Sequence, residues 1–175
     1  MYTLGAAMQI HLKLLFTVSI LLSGAIFGFF YAWICSTMWG LDNADPRIAI
    51  AAMQAMNASV RNAVFAPAFF GTPAVLALTS VTLRIARYKV SSLLMLSGAV
   101  VYLIFGLLLT MTVNVPMNEM LAQVDVPDKI AQAQIIWDNY SARWQTWNQI
   151  RTVASGLALI LVVMSLISVR TATQH

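Results

Sequence analysis

The sequence predicts an all-α integral membrane protein, a single-domain bundle of four transmembrane helices with an outer-side helical loop before the last helix. Three observations lead there. Of 175 residues, 60% are hydrophobic and 9% charged, with a mean hydropathy of +0.79, against about 25% charged residues in a soluble domain. Four apolar runs, at about 14–34, 63–83, 92–113 and 152–169, are close to the roughly 20 helical residues that cross a bilayer core. The charges also sort by loop. Lys13, Arg84, Arg87, Lys89 and Arg170 fall on one side without an acid, while Arg47, Arg61, Lys129, Arg143 and Arg151 share the other with all six acidic residues.

By the positive-inside rule this asymmetry places both termini in the cytoplasm of a multi-pass inner (plasma) membrane protein. The net charge of +4 is then a topology signal, with the lipid bilayer as partner and no nucleic acid implied. Lys13 precedes the first run as in a signal peptide. The run exceeds the roughly 7–15 residues of a signal core, so a retained anchor is expected. Cys35 has no second cysteine to pair with and reads as a packing residue.

In the first helix Gly24, Gly28, Ala32, Ser36 and Gly40 recur at every fourth position, a ridge of small residues that permits close helix approach. Packing within the chain is favoured, and oligomerisation through Gly24 and Gly28 is the alternative. Tyr31, Trp33 and Trp39 bring this helix to the outer interface. Asp42 to Pro46 reads as a turn, with Asp45 as N-cap and Pro46 at the first helical position. The next segment turns Met53, Met56 and Val60 one way and Gln54, Asn57, Arg61 and Asn62 the other, with Asn57 and Arg61 on one face. It is either an early start of the second span or a short helix lying on the membrane.

Pro67 and Pro73 flank Phe69, Phe70 and Gly71, predicting a kink and backbone carbonyls in need of new partners. The short basic loop around Arg84 to Lys89 makes the second and third helices antiparallel neighbours. Pro116, within Asn114-Val-Pro-Met-Asn118, predicts a break or kink at Val115. Asn114 and Asn118 then either cap helix ends or face a cavity. Val126-Pro127-Asp128 marks a turn and a helix start.

The stretch from Trp137 to Arg151 concentrates the unusual chemistry. As a helix it sets Tyr140, Trp144, Trp147 and Arg151 on one face, with Asn148 beside them. The same pattern suits an aromatic belt whose arginine snorkels to headgroups. Yet Asn57, Arg61, Asn62, Asn114, Asn118, Asn148 and Arg151 all fall in the outer layer, and that convergence points to a site. His11 and His175 lie toward the other side, so a haem or histidine-rich metal centre in this layer lacks ligands. An all-carboxylate set from Glu119, Asp125, Asp128 and Asp138 is the remaining metal option, and no cofactor is expected. The residues present suit a small, flat aromatic ligand bearing an oxygen. Rings would supply faces, Arg151 and asparagines hydrogen bonds, and Asp138 or Glu119 a proton acceptor.

Ala52-Met-Gln-Ala-Met-Asn57, Asn114-Val-Pro-Met-Asn118 and Trp137 through Trp144, Trp147, Asn148 and Arg151, set on four spans, resemble the anthrone oxygenase-like family, most of which is grouped as a domain of unknown function. The resemblance covers nearly the whole chain. It implies a membrane oxidoreductase that converts anthrones to anthraquinones with dioxygen and without a bound metal. Carried over by position, it implicates Asn57, Asn114, Asn118, Trp137, Tyr140, Trp144, Trp147, Asn148 and Arg151. Some relatives have a histidine after the motif asparagine, where this chain has Gln149, so the resemblance supplies no base. From these readings Arg151, Asn114, Asn148 and Asp138 are the catalytic candidates. Asn57, Arg61, Asn118, Trp137, Tyr140, Trp144 and Trp147 are the binding candidates. A non-catalytic membrane module that binds a lipid, an apolar molecule or a partner protein is the alternative function.

Overall fold

The computed structural model describes residues 6–173, and every regular element among them is helical. His175 and the side chain of Arg170 lie outside the described residues. Helix α1 (Ala6–Ala32) runs through a π-helical turn, π1 (Trp33–Thr37), into α2 (Met38–Asp42). Helix α3 (Pro46–Ser59) follows, and then α4 (Phe65–Ile85). The third span is built from α5 (Lys89–Val101), π2 (Tyr102–Leu108), π3 (Thr110–Asn114) and α6 (Val115–Ala122), and α7 (Ile130–Thr173) completes the fold. Four helices are long and apolar enough to cross a membrane, Ala7–Asp42, Phe65–Ile85, Lys89–Ala122 and Ile130–Val169. The chain is a multi-pass four-helix membrane protein. We call the end carrying the Arg84 to Lys89 turn the basic end and the opposite one the distal end.

Helix α7 lies against α1 and α5, and α4 closes the ring between those two. Lipid tails are as apolar as leucine, so close fit and interhelical hydrogen bonds hold such a bundle. Ser80 and Ser92 each donate to the other's backbone carbonyl, at 2.8 and 2.9 Å. Ser165 donates to the Ser91 carbonyl, and the hydroxyls of Ser19 and Thr79 meet at 3.1 Å. Close approach falls at Gly98 and Gly156. A Cβ on Gly98 would stand 3.2 Å from the Ala158 carbonyl, and one on Gly156 3.0 Å from the Phe27 ring. The predicted intrachain ridge is corrected here, because a Cβ on Gly24 or Gly28 would meet nothing within 4 Å.

The prolines are accommodated differently from one another. Pro73 sits inside α4 and cannot donate to the carbonyl four residues back, that of Phe69. The buried Tyr102 hydroxyl donates to that carbonyl instead, at 3.0 Å, supplying the replacement partner the sequence called for. Pro116 breaks nothing. Val115 stays helical at φ −62°, ψ −50°, and the wider turns of π3 directly before it make room for the ring. Asn114 makes no capping bond, so the capping reading of that residue is corrected too.

At the distal end Asp45 caps α3 as expected. Its carboxylate accepts from the Arg47 backbone N–H at 2.9 Å, and Pro46 is the first helical residue. Because α3 ends at Ser59 and α4 begins at Phe65, α3 is a separate short helix and not an early start of the second span. The helical segment predicted before the last span is helical and fused to it, in one element of 44 residues. Asp42 ties this extension to the first span. It accepts from Trp137 Nε1 at 2.9 Å and Ser141 Oγ at 2.7 Å, and from Gln145 Nε2 at 2.8 Å.

Candidate functional site

A cleft of about 1050 Å³ opens at the distal end between α1, the α3–α4 segment, the third span and α7. Its walls carry a cluster of aromatic rings: Phe29, Phe30 and Trp33 from the first span, Phe65 and Phe69 from α4, and Trp144 from α7. These rings touch in series, with Trp33 to Trp144 at 5.0 Å, Phe29 to Phe65 at 4.8 Å and Phe65 to Phe69 at 5.2 Å between centroids.

Arg151 reaches into this cleft from α7 and is 4% exposed. Its Nη2 donates to Asn148 Oδ1 at 2.7 Å and its Nη1 to Thr110 Oγ1 at 3.3 Å. Its Nε has no protein partner. The guanidinium carbon lies 4.6 Å from the Phe30 ring centroid and 5.2 Å from that of Trp144. Among the described residues no carboxylate pairs with it. The two ion pairs there are Arg47 with Asp45 and Arg61 with Glu119.

That arrangement is energetically unusual. A buried ion costs several kcal/mol after relaxation, and each ring face returns about 0.5–2 kcal/mol. A cation held this way retains a strong preference for an anionic or strongly accepting oxygen, and ionisable residues at membrane depth are functional candidates by default.

A second network lies above it. Asn118 Oδ1 accepts from Tyr140 Oη at 2.8 Å and from Trp144 Nε1 at 3.0 Å, while its Nδ2 donates to Asn57 Oδ1 at 3.0 Å. Asn57 Nδ2 donates to Tyr140 Oη at 3.4 Å. Asn57 and Asn118 line both the cleft and a smaller polar hollow of about 360 Å³, which they share with Arg61 and Glu119. The exposed Arg61–Glu119 pair, at 3.1 Å, spans the rim.

The candidate residues divide. Asn57, Arg61, Asn118, Trp144 and Arg151 line the cleft, with Tyr140 and Asn148 bonded to them. Asn148 also fixes the first span, donating to the Phe30 carbonyl at 3.1 Å. Trp137 is bound to Asp42, and Trp147 packs on the distal core, so neither lines the cleft. Asn114 is fully buried with both side-chain polar atoms unpartnered, beside the cleft and not in its lining. Asp138 is exposed, accepts from Gln134 and stands outside it, which leaves Glu119 as the carboxylate in the lining. Gln149 is also exposed and outside it. No group of three or more His, Cys, Asp or Glu among the described residues is placed to hold a metal ion. Sequence reasoning missed Phe29, Phe30, Phe65 and Phe69 because rings in an apolar span look like lipid-facing ones. It also missed Thr110, although Thr110, Asn114 and Asn118 repeat at every fourth position.

The molecule is thus a four-helix membrane protein with an aromatic cleft around a buried guanidinium. The anthrone oxygenase family model matches residues 59–161, more than half of the chain, and the protein belongs to that family. Neither a curated protein nor a solved structure matches it.

Proposed function

We propose that the cleft binds a flat hydrophobic aromatic molecule with an enolisable or phenolic oxygen and oxidises it with dioxygen, in the manner of an anthrone. The observation that carries this reading is Arg151, buried and aimed into an aromatic cleft without a carboxylate partner. Its guanidinium binds the substrate oxygen and stabilises the negative charge that forms when a benzylic proton leaves. The carbanion carbon bonds to dioxygen, and the peroxide takes up a proton. Loss of the second benzylic proton with cleavage of the O–O bond leaves a carbonyl, and the departing hydroxide leaves as water. Dioxygen is the oxidant throughout. Phe30, Trp33 and Trp144 hold the ring system, and the Asn118 network fixes Trp144. Glu119, at the rim, is the proton acceptor nearest the solvent.

A second reading, ligand binding without turnover, is favoured by one observation: the single carboxylate of the lining is exposed and already paired with Arg61. Dioxygen uptake by purified protein with a dihydroxyanthrone, corrected for autoxidation, separates the two. Uptake above background that is lost in Arg151→Lys and reduced in Glu119→Gln supports oxidation. Binding without excess uptake, in a folded and monodisperse protein, leaves the binding reading in its place.

A further inference from the structure

We propose that the ligand is a membrane-resident amphiphile, an aromatic head with an acidic hydroxyl or enolisable oxygen on a long apolar tail, which enters sideways from the bilayer. This names the substrate class for the site above and rests on that reading. The cleft is larger than a compact ring system requires. At about 1050 Å³ it lies at the top of the roughly 300–1000 Å³ that encloses drug-sized ligands.

The extra space is graded in polarity. Above the guanidinium the rim carries Asn57, Arg61, Asn62, Asn118 and Glu119, whereas toward the basic end the walls are Ala25, Ile26, Ala68, Phe69 and Phe70. Ala25 is five residues below Phe30, whose ring faces the guanidinium, and at 1.5 Å per residue that places it roughly 7 Å nearer the bilayer centre. A head held at Arg151 therefore has apolar space on its membrane side and polar groups on its distal side. This is the orientation of an amphiphile in the distal leaflet.

The seam between α4 and the third span is untied on the distal side of Tyr102. α4 is clasped to the third span by Ser80 with Ser92 and by Tyr102 with the Phe69 carbonyl. Beyond Tyr102 no hydrogen bond among those described joins α4 to the third span. Phe70 and Met111 line the cleft from these two elements and remain 53% and 43% exposed. A tail lying between them stays in hydrocarbon while the head occupies the rings.

The test uses the full chain in phospholipid nanodiscs. Binding of meta-pentadecylphenol and of meta-cresol is followed by tryptophan fluorescence and expressed per mole fraction in the membrane, so that partitioning is removed. The expected result is about tenfold tighter binding of the tailed phenol, since a fitted wall gives a tail more contacts than fluid lipid does. Ala25→Phe or Ala68→Phe, which fill the lower lobe, should each erase that difference. Equal binding of the two phenols, both weakened by Arg151→Met, overturns the amphiphile and leaves the proposed function standing. A tail preference untouched by both fillings overturns the lateral seat. Displacement of the phenol by equimolar palmitate overturns the aromatic head, and binding of neither phenol overturns this proposal together with the function.

Discussion

Exchange of Arg151 for methionine separates a guanidinium that serves a ligand from one that serves the fold. Methionine keeps the length and flexibility of the stem beside Phe30 and Trp144. Two hydrogen bonds from a charged donor are lost, to Asn148 and Thr110, each worth about 1.5–3 kcal/mol. Two ring contacts of about 0.5–2 kcal/mol go with them. The burial penalty of an ion without a carboxylate, several kcal/mol, is relieved at the same time. These terms are of one size and opposite sign, so the net change in stability is expected within about 2 kcal/mol, a shift of roughly 4–8 °C at most for a chain of this length. Binding has no such compensation. Removing one partner of a buried, hydrogen-bonded charge pair costs about 2–5 kcal/mol, which is roughly 30- to 4000-fold in Kd. The assay is titration of detergent-purified wild type and variant with a dihydroxyanthrone, read by tryptophan fluorescence, with melting curves on the same samples. A melting temperature lowered well beyond that range, with unchanged affinity in the remaining folded protein, would make the guanidinium a strut and remove the basis of the functional reading.

A Cβ on Gly106 would lie 2.6 Å from the Tyr102 ring, so Gly106→Ala should lower stability by about 1–3 kcal/mol in thermal melts. Gly28→Ala should stay within about 0.5 kcal/mol, and a larger loss would show that something outside the chain covers that face. Asp42→Ala removes the acceptor of three bonds from α7. It should destabilise by about 1–3 kcal/mol while ligand affinity per folded molecule holds, and a lost affinity at full stability would contradict the structural role given to Trp137. The Asp45 carboxyl is held below its ordinary range, chiefly by the Arg47 side chain and then by the Arg47 backbone N–H. Its contribution is therefore complete above about pH 4, the unfolded value, and is lost as pH falls through the lower folded value. Acid titration of melting temperature should show this drop in wild type and a shallower one in Asp45→Asn, which keeps a capping oxygen. Phe30→Leu keeps the carbonyl that Asn148 binds but removes a ring from Arg151. It should weaken a dihydroxyanthrone by about 0.5–2 kcal/mol in the same titration, and an unchanged affinity would take Phe30 out of the ligand face.

The four spans and the capped start of α3 were legible because each depends on nearby residues, a run of apolar side chains or an Asp-Pro pair. The α7 face was legible in part. Helical period places Tyr140, Trp144, Trp147 and Arg151 together, but what each meets is decided by the helices opposite, and Trp147 meets core where Trp144 meets the cleft. Asp42 read as a turn residue because its three donors lie about a hundred positions away. The π-helical turns were hidden for a related reason. A widened turn is set by what the helix must accommodate, here the Tyr102 ring against Gly106 and the proline after Val115, and of these Pro116 alone gave a local signal, which read as a break. Asp138 was named with Glu119 as a proton acceptor, yet it follows the buried Trp137, and one residue along a helix is a rotation of about 100°, enough to carry it from the buried face to the solvent.

The residues matched by the family, 59–161, contain Arg151, Thr110, Asn118 and Trp144, which make the polar end of the cleft. Phe29, Phe30 and Trp33, which line the cleft from the first span, and Asn57, on its polar rim, stand outside that match. The two parts answer different chemical questions. On the proposed function, a guanidinium fixed by Asn148 and Thr110 sets which oxygen is bound and how negative charge on it is stabilised. On the lateral-entry proposal, the rings of the first span and the seam beside Phe70 set how large and how apolar the rest of the molecule is. The match therefore covers the hydrogen-bonding side chains around the guanidinium and the rings of α4, while the rings of the first span lie outside it. On the proposed function, a change of substrate can begin with new side chains on α1 and α4, because neither helix supplies the hydrogen-bonding side chains that hold Arg151.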